Sequence, residues 1–199
     1  MSNPRDPRYD ILFEPIRIGP VTAPNRFYQV PHCNGMGRMF PDSMIEMRGM
    51  KAEGGWRIVT TEQCDFHPTG DVQPFTETRM WDDADLPYLA AMVDAVHAHG
   101  ALAGIELVHN GQDSGCLYSR EVPIGPEHRP VTWHQHPIQA RAMSRSDIRD
   151  YRRWHRKAVL RARQAGFDMV VVYAGHNGTV PSHFLSRESN QRSDEYGGS

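Results

Sequence analysis

Short apolar runs alternate with amphipathic segments along most of this chain, and that alternation narrows the fold more than any single motif. Four runs read as strands: NRFYQV at 25–30, WRIVTTE at 56–62, ALAGIELV at 101–108 and DMVVVY at 168–173. The segments between them carry helical spacing. Ser43 is placed to cap a helix to about residue 53, with Met44, Met47 and Met50 on one face as core filling. Asp85 is placed to cap a second, in which Leu89, Met92, Val93 and Val96 recur on one side and Gly100 follows the end. Ser144 with Asp147 reads as a capping box that opens a third, running to about residue 165 and burying Ile148, Tyr151, His155, Val159 and Ala162. Strand–helix alternation means parallel strands joined by crossover helices. The pattern leaves two architectures open: a doubly wound sheet, and half of a (β/α)8 barrel, which in full needs about 250 residues.

Ahead of the first strand, residues 11–24 read as a small hairpin turning at Gly19-Pro20, and residues 1–10 as a loose arm. The stretch 109–143 is rich in proline and histidine and reads as a long structureless connection that carries or covers a site.

Composition excludes several function classes. With 39% hydrophobic residues, 23% charged and a net charge of −2, the 199-residue chain suits one globular core with no bias toward nucleic acid or membrane. No apolar run approaches the ~20 residues of a membrane span, and the polar N-terminus shows no signal peptide. Three cysteines, Cys33, Cys64 and Cys116, are too few and too scattered for a disulfide framework, so a reducing cytoplasm is expected. Among eleven histidines, His97 and His99 point to different faces of a helix, and His134 and His136 have no carboxylate or cysteine nearby. No metal site is expected. The eight basic residues of the helix after Ser144 read as a solvated face.

Chemistry-bearing residues gather at strand ends. Cys33 follows Pro31 and His32 just past the first strand, where α/β proteins place their active groups. The thiol could be a nucleophile, a covalent attachment point or an inert packed side chain, and a protonated His32 beside it would lower its pKa. Gln63, Glu106, Tyr173 and His176 end the later strands, and tyrosine or histidine there can act as acid or base. No GxGxxG or P-loop pattern follows any strand.

LFEPIRIGPVTAPNRF at 12–27 and FLSRESNQRSDEYGGS at 184–199 resemble the old yellow enzyme family of FMN-binding barrels. QVPHC at 29–33 and KAEGGW at 51–56 are similar to its trimethylamine dehydrogenase branch. The resemblance implies a (β/α)8 barrel of which residues 1–199 form the N-terminal half, about four β/α units after a hairpin, within a longer protein. It implies FMN bonded through the sulfur of Cys33 and lined by Pro31, His32, Gln63 and Glu106. It implies that Tyr173 and His176 sit beside the substrate, with Gln63 and Val108 where the branch has aromatic substrate contacts. A glutamine offers hydrogen bonds, which suits a secondary or N-methylated amine such as dimethylamine, histamine or an N-methyl amino acid; SREVPIGP at 119–126 is similar to the N-methyl amino acid demethylases. The implied activity is FMN-dependent oxidation of a C–N bond through an iminium, with electrons passing to an electron-transfer flavoprotein in a homo-oligomer. Any iron–sulfur cluster belongs to sequence beyond this chain, since the three cysteines lack cluster spacing. Two other readings stand: an NAD(P)H-dependent ene-reductase of the same family, against which Tyr173 and Cys33 argue, and an inactive half-barrel remnant or assembly partner.

Overall fold

A computed structural model describes residues 6–72, 77–132 and 137–198. The chain opens with a 3-10 turn at Pro7–Phe13, where Asp6 accepts from the Arg8 amide at 3.0 Å, so residues 7–10 are no loose arm. The hairpin follows as expected, β1 (Ile16–Ile18) against β2 (Val21–Ala23), with Gly19 at φ +57° in the turn. Next come β3 (Tyr28–Gln29), α1 (Pro41–Glu53), β4 (Ile58–Asp65), β5 (Thr78–Arg79), α2 (Leu86–His97) and β6 (Leu102–Val108). The segment read as structureless folds into a three-stranded sheet of β7 (Ile124–Gly125), β8 (Arg129–Pro130) and β9 (Gln139–Ala142). Then α3 (Arg145–Gln164), β10 (Met169–Val172) and α4 (Val180–Leu185) complete the chain.

Strand order decides between the two architectures. The main sheet runs β3-β4-β6-β10, all parallel, so each strand neighbours the next in sequence. A doubly wound sheet reverses direction at a switch point; sequential order is that of a (β/α)8 barrel, of which this chain supplies four units. The helix-facing side holds the core. Val59, Cys64, Ala103, Ile105 and Leu107 of the strands meet Met44, Leu89, Met92, Val96 and Ala158 of the helices. Each larger aliphatic side chain buried there contributes roughly 1.5–3 kcal/mol.

Local signals differ in how well they survive. Ser144 and Asp147 form the reciprocal box at α3, their amides bonded at 2.7 and 3.2 Å respectively. Ser43, by contrast, lies inside α1, because Pro41 pre-sets the first helical position. The inward stripe of α1 is Met44, Arg48, Gly49 and Ala52, and Met50 stands 63% exposed. Asp85 caps no amide of α2; it accepts from the Trp81 and Asp82 amides and from Arg79 Nε. β4 runs on to Asp65, with a register shift between Thr60 and Gln63 that bulges the strand.

Candidate active site

The bulge in β4 sets the site. After it, Gln63 pairs with Glu106 of β6, which pairs in turn with Val171 of β10. Paired residues on parallel strands share a face, so Gln63 and Glu106 stand together on the side opposite the helix-facing core. Val108 lies two residues past Glu106, on the same face, paired with Asp65. The Gln63 amide is anchored by a 2.9 Å bond to Asp65. Burial pushes the Glu106 carboxyl up to about 7, so it can donate as well as accept near neutrality.

Beyond β10 the backbone makes a tight reversal. His176 and Asn177 both adopt left-handed conformations, at φ 56° and 52°, which non-glycine residues enter at a cost and which cluster at functional sites. A Cβ at Gly175 would lie 2.6 Å from the Tyr173 ring, so only glycine lets the ring fold back. The Tyr173 hydroxyl thereby bonds His176 Nδ1. Burial, then the charges of Glu106 and Cys33, raise the Tyr173 pKa, which puts the hydroxyl in the same electrostatic neighbourhood as both.

Cys33 follows the end of β3, exposed as a residue but with its sulfur partly shielded. Two buried charges grip its flanks. Arg48, wholly buried on α1, donates to the His32 carbonyl at 2.7 Å and to Gln29 Oε1 at 2.9 Å. Glu62, wholly buried on β4, accepts from the Asn34 amide at 3.1 Å and from the Thr78 amide and hydroxyl at 3.2 and 3.0 Å. Burial, then the Glu77 and Glu62 carboxylates, push the Cys33 thiol up to about 12. The expected lowering of this thiol is therefore reversed: the groups around the sulfur are acidic.

Thus Gln63 and Glu106 share one face, the Tyr173–His176 pair follows the neighbouring strand, and Cys33 follows β3 in a loop to which Pro31 and His32 supply backbone. Glu62, Glu77 and Arg48 were missed by sequence reasoning. A carboxylate ending an apolar strand and an arginine four residues after Met44 on the inward helix face were the available signals; Glu77 had none. A polar cavity of about 180 Å³ beside Asp113 and His183 shares no residue with this cluster. His97 bonds Asp168 at 2.8 Å, and His134 and His136 lie outside the described residues.

Residues 11–199 match the NADH:flavin oxidoreductase / NADH oxidase family. The chain belongs to that family. Dimethylamine dehydrogenase of Hyphomicrobium sp. (strain x) is 44% identical over 200 residues, covering 98% of this chain and 27% of that protein. Histamine dehydrogenase from Rhizobium sp. 4-9 superposes with a TM-score of 0.95 at 50% identity, over 98% of this chain and 30% of its own. An amine oxidase for 6-hydroxypseudooxynicotine from Pseudomonas geniculata N1 gives 0.95 at 49%, over 98% and 29%. The chain spans less than a third of each relative's length, and the resemblance to the amine dehydrogenase branch is borne out. For a family that binds flavin, the site offers suitable groups: a thiol in the loop after β3, and an anchored amide beside a carboxyl near neutrality on one face. No helix among the described residues is long and apolar enough to cross a membrane.

Proposed function

We propose that residues 1–199 are the N-terminal half of an FMN-binding barrel domain in a longer protein that oxidises the C–N bond of a secondary or N-methylated amine. The observation that supports this reading is the pairing of Gln63 with Glu106 on one face, with the Tyr173–His176 pair after the neighbouring strand. FMN, when bound, supplies the acceptor for a hydride equivalent from the carbon next to nitrogen. This chain's residues do the rest. Cys33 would tether the cofactor, with Pro31 and His32 beside it, and Glu106 and Gln63 would hold it by hydrogen bonds. The Gln63 amide oxygen, opposite the nitrogen that bonds Asp65, would accept from a substrate N–H, with Val108 one step along the same face. Tyr173, bonded to His176, orients the amine and holds or moves its proton. The iminium released then hydrolyses to an aldehyde and a shortened amine. A cytoplasmic homo-oligomer passing electrons to an electron-transfer flavoprotein completes the proposal, with any iron–sulfur cluster in sequence beyond residue 199.

Denaturing mass spectrometry of the full-length protein, with the Cys33 peptide mapped, tests this. The expected result is one FMN on that peptide, absent in Cys33→Ala, and bleaching of the flavin by dimethylamine or histamine. FMN released by denaturation of the wild type overturns the attachment, and bleaching by NADPH but by no amine overturns the activity in favour of an ene-reductase.

A further inference from the structure

The reversal after β10 is tied to a buried pair on two other elements. His183 of α4 and Asp113 of the 3-10 turn Gly111–Asp113 are 2% and 6% exposed, and His183 Nε2 lies 2.8 Å from Asp113 Oδ2. The same Nε2 lies 3.0 Å from the Asn177 carbonyl oxygen. Both partners are acceptors, so Nε2 carries the proton and donates to both. Asp113 is held in turn, its Oδ1 accepting from the Thr132 hydroxyl at 3.0 Å. Asn177 directly follows His176, and both are left-handed, a backbone that persists only where its surroundings over-determine it. Asp113, Asn177 and His183 all line the polar cavity beside this turn. We propose that Asp113 and His183 form a positioning pair, which fixes the Asn177 carbonyl and thereby aims His176 at the Tyr173 hydroxyl.

The frame behind the pair is well anchored. Thr179 and Ser182 close a capping box at the start of α4, the Thr179 amide donating to Ser182 Oγ at 3.0 Å. The Val180 amide donates to the His109 carbonyl at 3.0 Å, which ties α4 to the chain just past β6. At the other end of α4, Ser189 Oγ donates to the His183 carbonyl at 2.8 Å. A Cβ at Gly111 would stand 2.9 Å from His183 Nδ1, so the ring is wedged against the turn that carries Asp113. Within the reversal itself, the Gly178 amide reaches the Gly175 carbonyl at a longer 3.3 Å. The proposal rests on the reading of Tyr173 and His176 as the pair that handles the substrate proton, and adds two residues that act through it.

Stopped-flow reduction of the full-length flavoprotein by dimethylamine or histamine separates the limiting rate from amine affinity. His183→Leu, which removes both bonds, is expected to lower the limiting rate about 10²-fold and leave the affinity nearly unchanged. His183→Gln, whose amide NH2 reaches the Nε2 position and can donate to both oxygens, is expected to stay near the wild-type rate. Added to Tyr173→Phe, His183→Leu is expected to cost nothing further, because the residues act as one unit. Asp113→Ala, which frees the ring, is expected to show a smaller loss in the same rate and carries the test if the leucine variant does not fold. A rate equal to wild type in His183→Leu or, failing that variant, in Asp113→Ala overturns the proposal. So does an effect on affinity alone, a glutamine variant as slow as the leucine one, or losses that multiply in the double variant. Amide exchange over residues 174–180 reads the pair without turnover, and is expected to quicken in His183→Leu and to match the wild type in His183→Gln. Should no amine reduce the flavin, the reading of the site falls while exchange still decides the pair, which unchanged exchange in His183→Leu overturns.

Discussion

Replacing Arg48 by methionine isolates what holds the Cys33 loop. The side chain is wholly buried, and methionine keeps an apolar stem out to the Nε position while removing the charge and both terminal donors. Two acceptors then lose their partners: Gln29 Oε1, at 2.9 Å from Arg48, and the His32 carbonyl, at 2.7 Å. Each orphaned buried acceptor costs about 1–3 kcal/mol. Glu62 also loses the opposite charge that offsets its own burial. Against these losses stands the relief of desolvating a guanidinium whose Nε has no partner. Breaking one side of a buried charge pair costs about 3–5 kcal/mol in comparable cases, so we expect a net loss of about 3 kcal/mol. In a unit of this size that lowers the melting temperature by about 6–12 °C. Calorimetry of the full-length variant measures the shift, and amide exchange at Asn34 shows whether the loop has loosened. The double variant Arg48→Met/Glu62→Gln should recover part of the loss, since neither charge is then left alone. A single variant melting at or above the wild type would refute the reasoning, making the buried arginine a net cost.

Tyr173→Phe removes the bond to His176 without changing the ring, and should slow amine-driven flavin reduction about 10²-fold in stopped flow; an unchanged rate would take Tyr173 out of the mechanism. His109 is wholly buried, and burial, helped by His67 and His183, holds it down to about 3. Its Nδ1 accepts from the Gly111 amide at 3.0 Å, so a proton there would face another N–H. The unfolded chain takes that proton near 6.5 and the folded one does not, so the stability present above 6.5 declines as pH falls toward 3, by about 1.4 kcal/mol per unit. Urea midpoints at pH 7.5 and 5 in the wild type and in His109→Gln check this; equal pH slopes would count against it.

How much could be read in advance depended on the range of each interaction. The Ser144–Asp147 box is closed by residues three apart, and it was legible. The start of α1 was misplaced because a proline two residues before Ser43 outweighs a serine that could have capped. Met50 matched the helical period yet faces solvent, since Arg48 takes the inward position at that level. Cys33, Glu106, Tyr173 and His176 could be read as strand ends, because a parallel sheet brings such ends to one rim. Glu77 went unseen: it precedes a two-residue strand, and its charge acts on Cys33 across 44 residues of chain.

The sequence by itself determined the alternation of apolar strands and amphipathic helices, the cap of α3, the glycines that end helices, and the family motifs at both ends. Those are properties of neighbouring residues, carried by side-chain period and backbone preference. Tertiary structure alone decided that the strands lie in sequential order, that a bulge turns Gln63 to the face of Glu106, and that the environment of Cys33 is acidic. Sheet order and local charge depend on residues distant in the chain, whose separation only packing closes.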